Sequence, residues 1–433
     1  MKRDFVVAVD VGTASLRVGV LDRAGRILSC DERPISMNRP RPDHAEHDST
    51  EIWSGVCDAV RAAVAASGIA PETVAAIGFD ATCSLVALTA AGEPVTVSTA
   101  GEDRWDTIAW LDHRAKAEAE RCSATRHLAV TRAGGALSPE MAIPKLAWLK
   151  ANLPESWHRA GLLFDLADFL TWKATGSTAR SVCTLGCKWA YLADRAEPWP
   201  QDFFEHSGVP DLVAKAGLPR KASPVGADLG ALTGEAAEAL GLSTACRVAT
   251  GLIDAHAGAL AALGSFDGAD LSGRAALVAG TSSCVTLMSD ALHPIPGVWG
   301  PYPGAARPGL WLAEAGQSLS GGLLDHVIRM AGGGLEPGIA THERICARIA
   351  ELREGEGADL APRLHVLADF HGNRSPFADA DALGVISGLP ADASFDALCR
   401  LYFRTAVGIA LGVRQIVENF AAHVPRVELA AEP

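Results

Sequence analysis

A chain of 433 residues, 48% apolar and 21% charged, is long enough for two or three domains that each bury a core. Its net charge of −13 argues against a nucleic-acid binder, which needs clustered Lys and Arg, but not against a nucleotide held by backbone amides. No apolar run reaches the ~20 residues of a membrane helix, and the opening MKRDF lacks the apolar core of a signal peptide, so a cytoplasmic location without membrane contact is expected.

In chain order, Phe5 to Asp10 and Leu16 to Leu21 read as apolar strands. Asp22 to Gly25 reads as a turn and Arg26 to Cys30 as a third strand. His44 and His47, in DHAEHD, read as part of a solvated polar loop rather than a metal pair. The stretch DSTEIWSGVCDAVRAAVAAS reads as a helix. Asp48 and Glu51 have capping-box spacing, and Ile52, Val56, Val60 and Val64 form one apolar stripe. The run TVAAIGFD is a buried strand that ends in Asp80. Ten cysteines are scattered without a CxxC pair. Cys183 and Cys187 have helical spacing but no second ligand pair, so no metal is expected there.

The same order returns downstream. ALVAGTSSCVTLMS is apolar, turns at Gly-Thr-Ser-Ser, and is apolar again, so Gly12-Thr13-x-Ser15 aligns with Gly280-Thr281-x-Ser283. A long helix, FDALCRLYFRTAVGIALGVRQIVENF, and a strand, PRVELAA, follow. The chain therefore reads as two copies of one plan joined near residues 263–273, giving domains 1–262 and 263–433. The second copy reaches its last strand at Val427 and ends at Pro433, so the duplicated plan leads us to expect a truncated second domain.

A Gly-Thr-Ser turn between strands points amides and hydroxyls one way, which makes an anion nest, and glycine lets the backbone approach a phosphate closely. Gly12, Thr13 and Ser15, and Gly280, Thr281 and Ser282, are the candidates. An acid beside such a nest repels phosphate unless a cation intervenes. Asp10 therefore reads as a Mg²⁺ partner, directly or through water, and Arg17 as a counter-charge for phosphate. No GxxxxGK[ST] or GxGxxG occurs, so no rival nucleotide motif competes. Asp254, in GLIDAHAGAL, reads on its own as a helix N-cap.

The motifs VDVGTASLR, GFDATCSL, WLDHRA, FDLADFLTWKATG, CKWAY, LIDAHAG, GTSSC, GVWGPY, EAGQS and DFHGNRSP run from residue 6 to about 376. Together they resemble the FGGY carbohydrate kinases, and Thr82-Cys83-Ser84-Leu85 resembles their D-ribulokinase branch. The resemblance implies a duplicated α/β fold of the actin-like ATPase (ribonuclease H-like) type, with two domains around a cleft. It implies ATP and Mg²⁺ as cofactors and D-ribulose, or a close ketopentose, as the phosphoryl acceptor. It makes Asp254 the catalytic base, and His256 a structural neighbour. Asp80, at the C-terminal end of a strand, is well placed for the sugar; the resemblance adds the backbone at Cys83, Lys188 and Glu314, with Asp112 shared between sugar contact and pairing with Arg114. Trp189 and Trp299 are candidates for the sugar's C–H face, and Asn373 and Arg374 for ordering a loop. In the family, a glycine-rich adenosine turn follows the strand at RVELAA, whereas here Ala430-Ala431-Glu432-Pro433 closes the chain. The alternative is thus a sugar-binding pseudokinase or a fragment without an adenine site. A homodimer stays open.

Overall fold

The computed structural model describes residues 3–264 and 271–431. The expected joint at 263–273 lies partly outside the described residues, as do Glu432 and Pro433. The chain divides into two compact units, Met1–Leu260 with Tyr302–Leu312, and Ala261–Pro301 with Ala313–Pro433.

The first unit is built on a seven-stranded sheet. Ile27–Pro34, Ser15–Leu21 and Phe5–Val11 form an antiparallel meander. From Phe5–Val11 the sheet continues in parallel through Val74–Ala81 to Arg247–Ala249, and Leu252–Ile253 also runs parallel to Val74–Ala81. Successive side chains of a strand face opposite ways. Val7, Val9 and Val11 therefore enter the core together, while Asp10 faces the other side.

The helix Ser49–Ser67 covers that core with Ile52, Val56, Val60 and Val64, all buried as the stripe requires. Asp48 accepts from the Thr50 and Glu51 amides at 2.9 and 3.0 Å, which satisfies orphan donors of the first turn. Only half of the expected capping box forms, because Glu51 accepts the Ser36 amide at 3.0 Å. Gly68 closes the helix at φ 70°, a conformation that favours glycine.

A four-stranded sheet of Glu46–His47, Thr107–Ile108, Leu85–Leu88 and Leu162–Asp165 builds a second core in this unit. It corrects the reading of DHAEHD as a solvated loop. His44 and His47 are buried, and His47 Nδ1 lies 2.8 Å from the Ser36 carbonyl. Desolvation lowers the pKa of both rings.

The five-stranded sheet has the order Trp299–Pro303, Trp311–Gln317, Ser283–Ser289, Arg274–Ala279, Glu428–Ala431. The 29-residue helix Phe395–His423 packs on it through Ile416 and Phe420. Farther up the same helix, Leu398, Leu401 and Tyr402 join a separate core with Val327, Ile328 and Ile345. The duplicated plan is explicit in the pairing. Phe5–Val11 has an antiparallel partner in Ser15–Leu21 and a parallel one in Val74–Ala81. Arg274–Ala279 has the same two, in Ser283–Ser289 and Glu428–Ala431. Among the described residues, no helix is long and apolar enough to cross a membrane.

Candidate active site

Strand register brings three carboxylates together. Asp10 sits opposite Asp80 in the parallel pair and opposite Arg17 in the antiparallel pair. Leu252 pairs with Asp80, so Asp254, two residues on, leaves the sheet at the same end and opens the helix Asp254–Leu263. These are C-terminal strand ends, where α/β sheets collect ligands. Arg17 Nη1 donates to Asp10 at 2.8 Å. Burial, then the charges of Asp10 and Asp254, hold the Asp80 carboxyl well above the usual range, and it shares a hydrogen bond with Asp10. Asp254 is pushed up to about 6, chiefly by burial. The Ala255 amide, donating at 2.7 Å, works against that rise. His256 and Lys188 also favour the charged form, whereas Asp10 opposes it.

Lys188 ends the helix Val182–Lys188 and is buried, with Asp254, Cys83 and Asp165 as electrostatic neighbours. Cys83 is no nucleophile, because desolvation pushes its thiol up to about 12.

The first turn closes through the Gly12 amide, which donates to Ser15 O at 3.0 Å. The Ser15 hydroxyl donates to Glu32 at 2.7 Å and accepts from Arg17 Nη2 at 3.3 Å. It is held along the strand pair, so its proton is not offered to an anion. Thr13 differs. Its Oγ1 accepts from Trp110 Nε1 at 2.9 Å, and since indole only donates, the Thr13 proton remains available. The second turn closes through the Gly280 amide to Ser282 O at 2.8 Å. Ser282 is therefore the counterpart of Ser15. The Gly-Thr-x-Ser alignment with Ser283 is one residue off, because Ser283 is already a buried strand residue opposite Ala279. The Gly12 and Gly280 amides each donate within their own turn. The second turn is anchored by its carbonyls. Gly280 O accepts from the Gly321 amide at 3.0 Å, and Thr281 O from the Ser320 and Gly322 amides at 2.9 and 3.1 Å.

Residues 5–261 match the N-terminal domain, and residues 275–431 the C-terminal domain, of the FGGY family of carbohydrate kinases. The chain belongs to this family. It is 42% identical to the "FGGY carbohydrate kinase domain-containing protein" of Danio rerio, spanning 95% of this chain and 79% of that one. It is 36% identical to the D-ribulokinase YDR109C of Saccharomyces cerevisiae, spanning 96% of this chain and 64% of that one. Among solved structures, the fold is shared with a xylulose kinase from Rhodospirillum rubrum, at a TM-score of 0.71 and 22% identity over 97% of this chain and 79% of that one. It is shared also with a xyloylose kinase from Brucella ovis, at a TM-score of 0.76 and 20% identity over 99% of this chain and 82% of that one.

An FGGY kinase moves a phosphoryl group from ATP to a sugar, and the structure sorts the candidate residues on that basis. Asp112 leaves the sugar list. It is fully buried, and Oδ2 accepts from the Ala45 amide at 2.6 Å and from Arg114 Nη2 at 2.7 Å. Its Oδ1 accepts from the Arg114 amide and Nε, both at 2.9 Å. Arg114 in turn binds Glu46 at 2.9 Å, so WLDHRA ends in a buried ion cluster. Trp189 and Trp299 are buried, at 1% and 4% exposure. Trp299 carries the Arg374 guanidinium 5.2 Å from its ring centre. Asn373 orders its loop as expected, donating to Asp369 at 3.1 Å and accepting from the Phe377 amide at 3.1 Å. Glu314 lies buried on the strand Trp311–Gln317.

Two positioning residues escaped the sequence reading. Trp110 holds Thr13 and also donates its amide to Ser84 Oγ at 3.1 Å. Lys145 is fully buried and donates to the Ala109 and Trp110 carbonyls, both at 2.9 Å. An aromatic residue opening WLDHRA was the available signal for Trp110. For Lys145 there was none.

Proposed function

We propose that this kinase transfers the γ-phosphoryl group of ATP to the terminal hydroxyl of D-ribulose, giving D-ribulose 5-phosphate. The observation that carries the reading is Asp254 at a helix start, in register with Asp10 and Asp80 and beside Lys188. Asp254 accepts the hydroxyl proton as the oxygen–phosphorus bond forms and the bond from the γ-phosphorus to the bridging oxygen breaks; ADP leaves, and the proton ends on the Asp254 carboxylate. Lys188, Asp80 and the backbone at Cys83 hold the sugar's other hydroxyls, which orients the attacking one. A protonated Asp80 serves both as donor and as acceptor. The Thr13 hydroxyl donates to the nucleotide's phosphates. In the second unit, Gly280, Thr281 and Ser282 shape the backbone toward phosphate, and Glu314 serves the sugar. We assign these roles to domains 1–262 and 263–433.

The residues present fit Mg²⁺. Asp10 offers a hard oxygen donor, and the repulsion among the acidic groups of Asp10, Asp80 and Asp254, which raises the Asp80 carboxyl, is what a divalent cation offsets. Asp10 would hold it, directly or through water. When bound, the ion neutralises charge on the phosphates.

The choice of ketopentose rests on the similarity to D-ribulokinase YDR109C and on the Thr82-Cys83-Ser84-Leu85 segment. A coupled ADP-release assay across D-ribulose, L-ribulose, D-xylulose and ribitol tests it. The highest kcat/KM is expected for D-ribulose, and a preference for another acceptor overturns the assignment. Titration calorimetry with sugar and with ATP separates a slow kinase from a chain that binds sugar alone.

A further inference from the structure

Cys183, Cys187 and His256 form a cluster that phosphoryl transfer does not use. All three are buried, at 0%, 2% and 0% exposure. The helix Val182–Lys188 sets the cysteines one turn apart on one face, and His256 meets them from the helix Asp254–Leu263. The His256 Nδ1 atom lies 3.2 Å from Cys183 Sγ and 4.0 Å from Cys187 Sγ, and all three ligand atoms fall within 4.8 Å of one another. We propose that these side chains bind a soft or borderline cation, Zn²⁺ in the first instance, that ties the two helices together. The absence of a second ligand pair in the sequence had spoken against a metal here; His256 supplies the third ligand from 69 residues beyond Cys187.

Three physical arguments support the site. Zinc–sulfur bonds of about 2.3 Å and zinc–nitrogen bonds of about 2.0–2.1 Å put tetrahedral ligand atoms about 3.5–3.8 Å apart. The observed separations bracket that spacing, so binding needs only small side-chain shifts. The charge also balances, since two thiolates and a neutral imidazole cancel a divalent ion and leave no net buried charge. The donor set is selective as well, because sulfur and imidazole disfavour Mg²⁺ and Ca²⁺. Asp165, 2% exposed and an electrostatic neighbour of Cys183, has an Oδ1 without a hydrogen-bond partner, an oxygen that a metal-bound water can use. The ion would fix the helix that ends in Lys188 against the helix that begins with Asp254, making the cluster a positioning device.

The test is metal binding by the full, reduced chain, read without kinase activity, so its failure is separate from failure of the ribulokinase reading. Exposed Cys30 and Cys346 are first changed to Ser to remove background thiols. Cobalt(II) should then bind at one equivalent, with a sulfur-to-cobalt charge-transfer band of two-thiolate intensity and tetrahedral visible absorption. Zinc should displace it. Cys183→Ser or Cys187→Ser should weaken zinc binding by about 100-fold or more, at least the loss expected from disturbing a ligand's support. Absence of the sulfur band, or a zinc affinity in both serine variants equal to that of the parent chain, overturns the site. If the variants do not fold, the cobalt spectrum of the parent chain decides alone.

Discussion

The Gly12–Ser15 and Gly280–Ser282 turns stand on the same frame of one antiparallel and one parallel neighbour, and they solve different problems. In the first, the second cross-strand pair back from the turn is Asp10 with Arg17. At the corresponding step of the second it is Val278 with Cys284. The first turn is steadied by side chains, through Trp110 on Thr13 and Glu32 on Ser15. The second is one residue shorter and is steadied by amides that open the helix Gly321–Ala331. Duplication kept the frame and left charge on one copy. The charged pair therefore stands at the first turn, and the backbone anchoring at the second.

The largest expected effect lies in the charged copy. Asp254→Asn should lower kcat by about 10²- to 10⁴-fold, the usual worth of a positioned base, with an unchanged circular dichroism spectrum. Retained turnover would remove the base from this residue. Asp10→Asn should cost less, about 10- to 100-fold in kcat/KM, with a higher Mg²⁺ requirement. Val278→Ala, its counterpart, should stay within about twofold, since it removes only apolar contact. Equal damage from the two would erase the asymmetry.

The pH profile sharpens the same point. Asp254 must be ionised to take a proton, and its carboxyl in the free enzyme is raised to about 6. The value of kcat/KM should therefore be level above pH 6 and fall about tenfold per pH unit below it. A level profile down to pH 4.5, well below that raised value, would mean that Asp254 does not titrate in the rate-limiting step.

Glycine substitutions probe the two anchoring schemes. A Cβ on Gly321 would meet Gly280 O at 2.5 Å, whereas one on Gly12 would meet Ser15 O at 3.2 Å. Gly321→Ala should destabilise by about 1–3 kcal/mol, the range for overpacking, less up to ~1 kcal/mol returned by helix propensity. Gly12→Ala should cost less, because a few tenths of an ångström of movement relieves it. Thermal melts of both variants give the order directly, and a reversed order would show that the second turn is not pinned by its helix.

What the sequence disclosed follows from how local each signal was. The strand from Phe5 rests on a local apolar run and the Ile52–Val64 stripe on helical period, and both form, the strand running one residue past Asp10 to Val11. The Gly-Thr-x-Ser pattern permits a three- or a four-residue turn, so spacing could not tell Ser282 from Ser283. The pleat decides, by burying Ser283. Asp112 and Arg114 have the same spacing whether they face a ligand or each other, and only the packing of Glu46 and Ala45 around them settles it. Contacts across many residues left no trace, as with Trp110 and Thr13, 97 positions apart. The likeness to a family supplied Asp254 and Lys188, which periodicity could not single out.

That long-range contact gives the smallest test. Trp110→Phe keeps the ring in place but deletes the donor to Thr13 Oγ1. One neutral hydrogen bond is worth about 0.5–1.5 kcal/mol, so the KM for ATP should rise about two- to tenfold with kcat nearly unchanged. Thr13→Val should do as much alone, because it removes both the partner and the hydroxyl proposed to meet the nucleotide. If Trp110 acts only by aiming that hydroxyl, Trp110→Phe should add nothing in the Thr13→Val background. Additive losses would mean instead that the indole serves the nucleotide independently, and that the first turn is steadied by Glu32 and Arg17 without it.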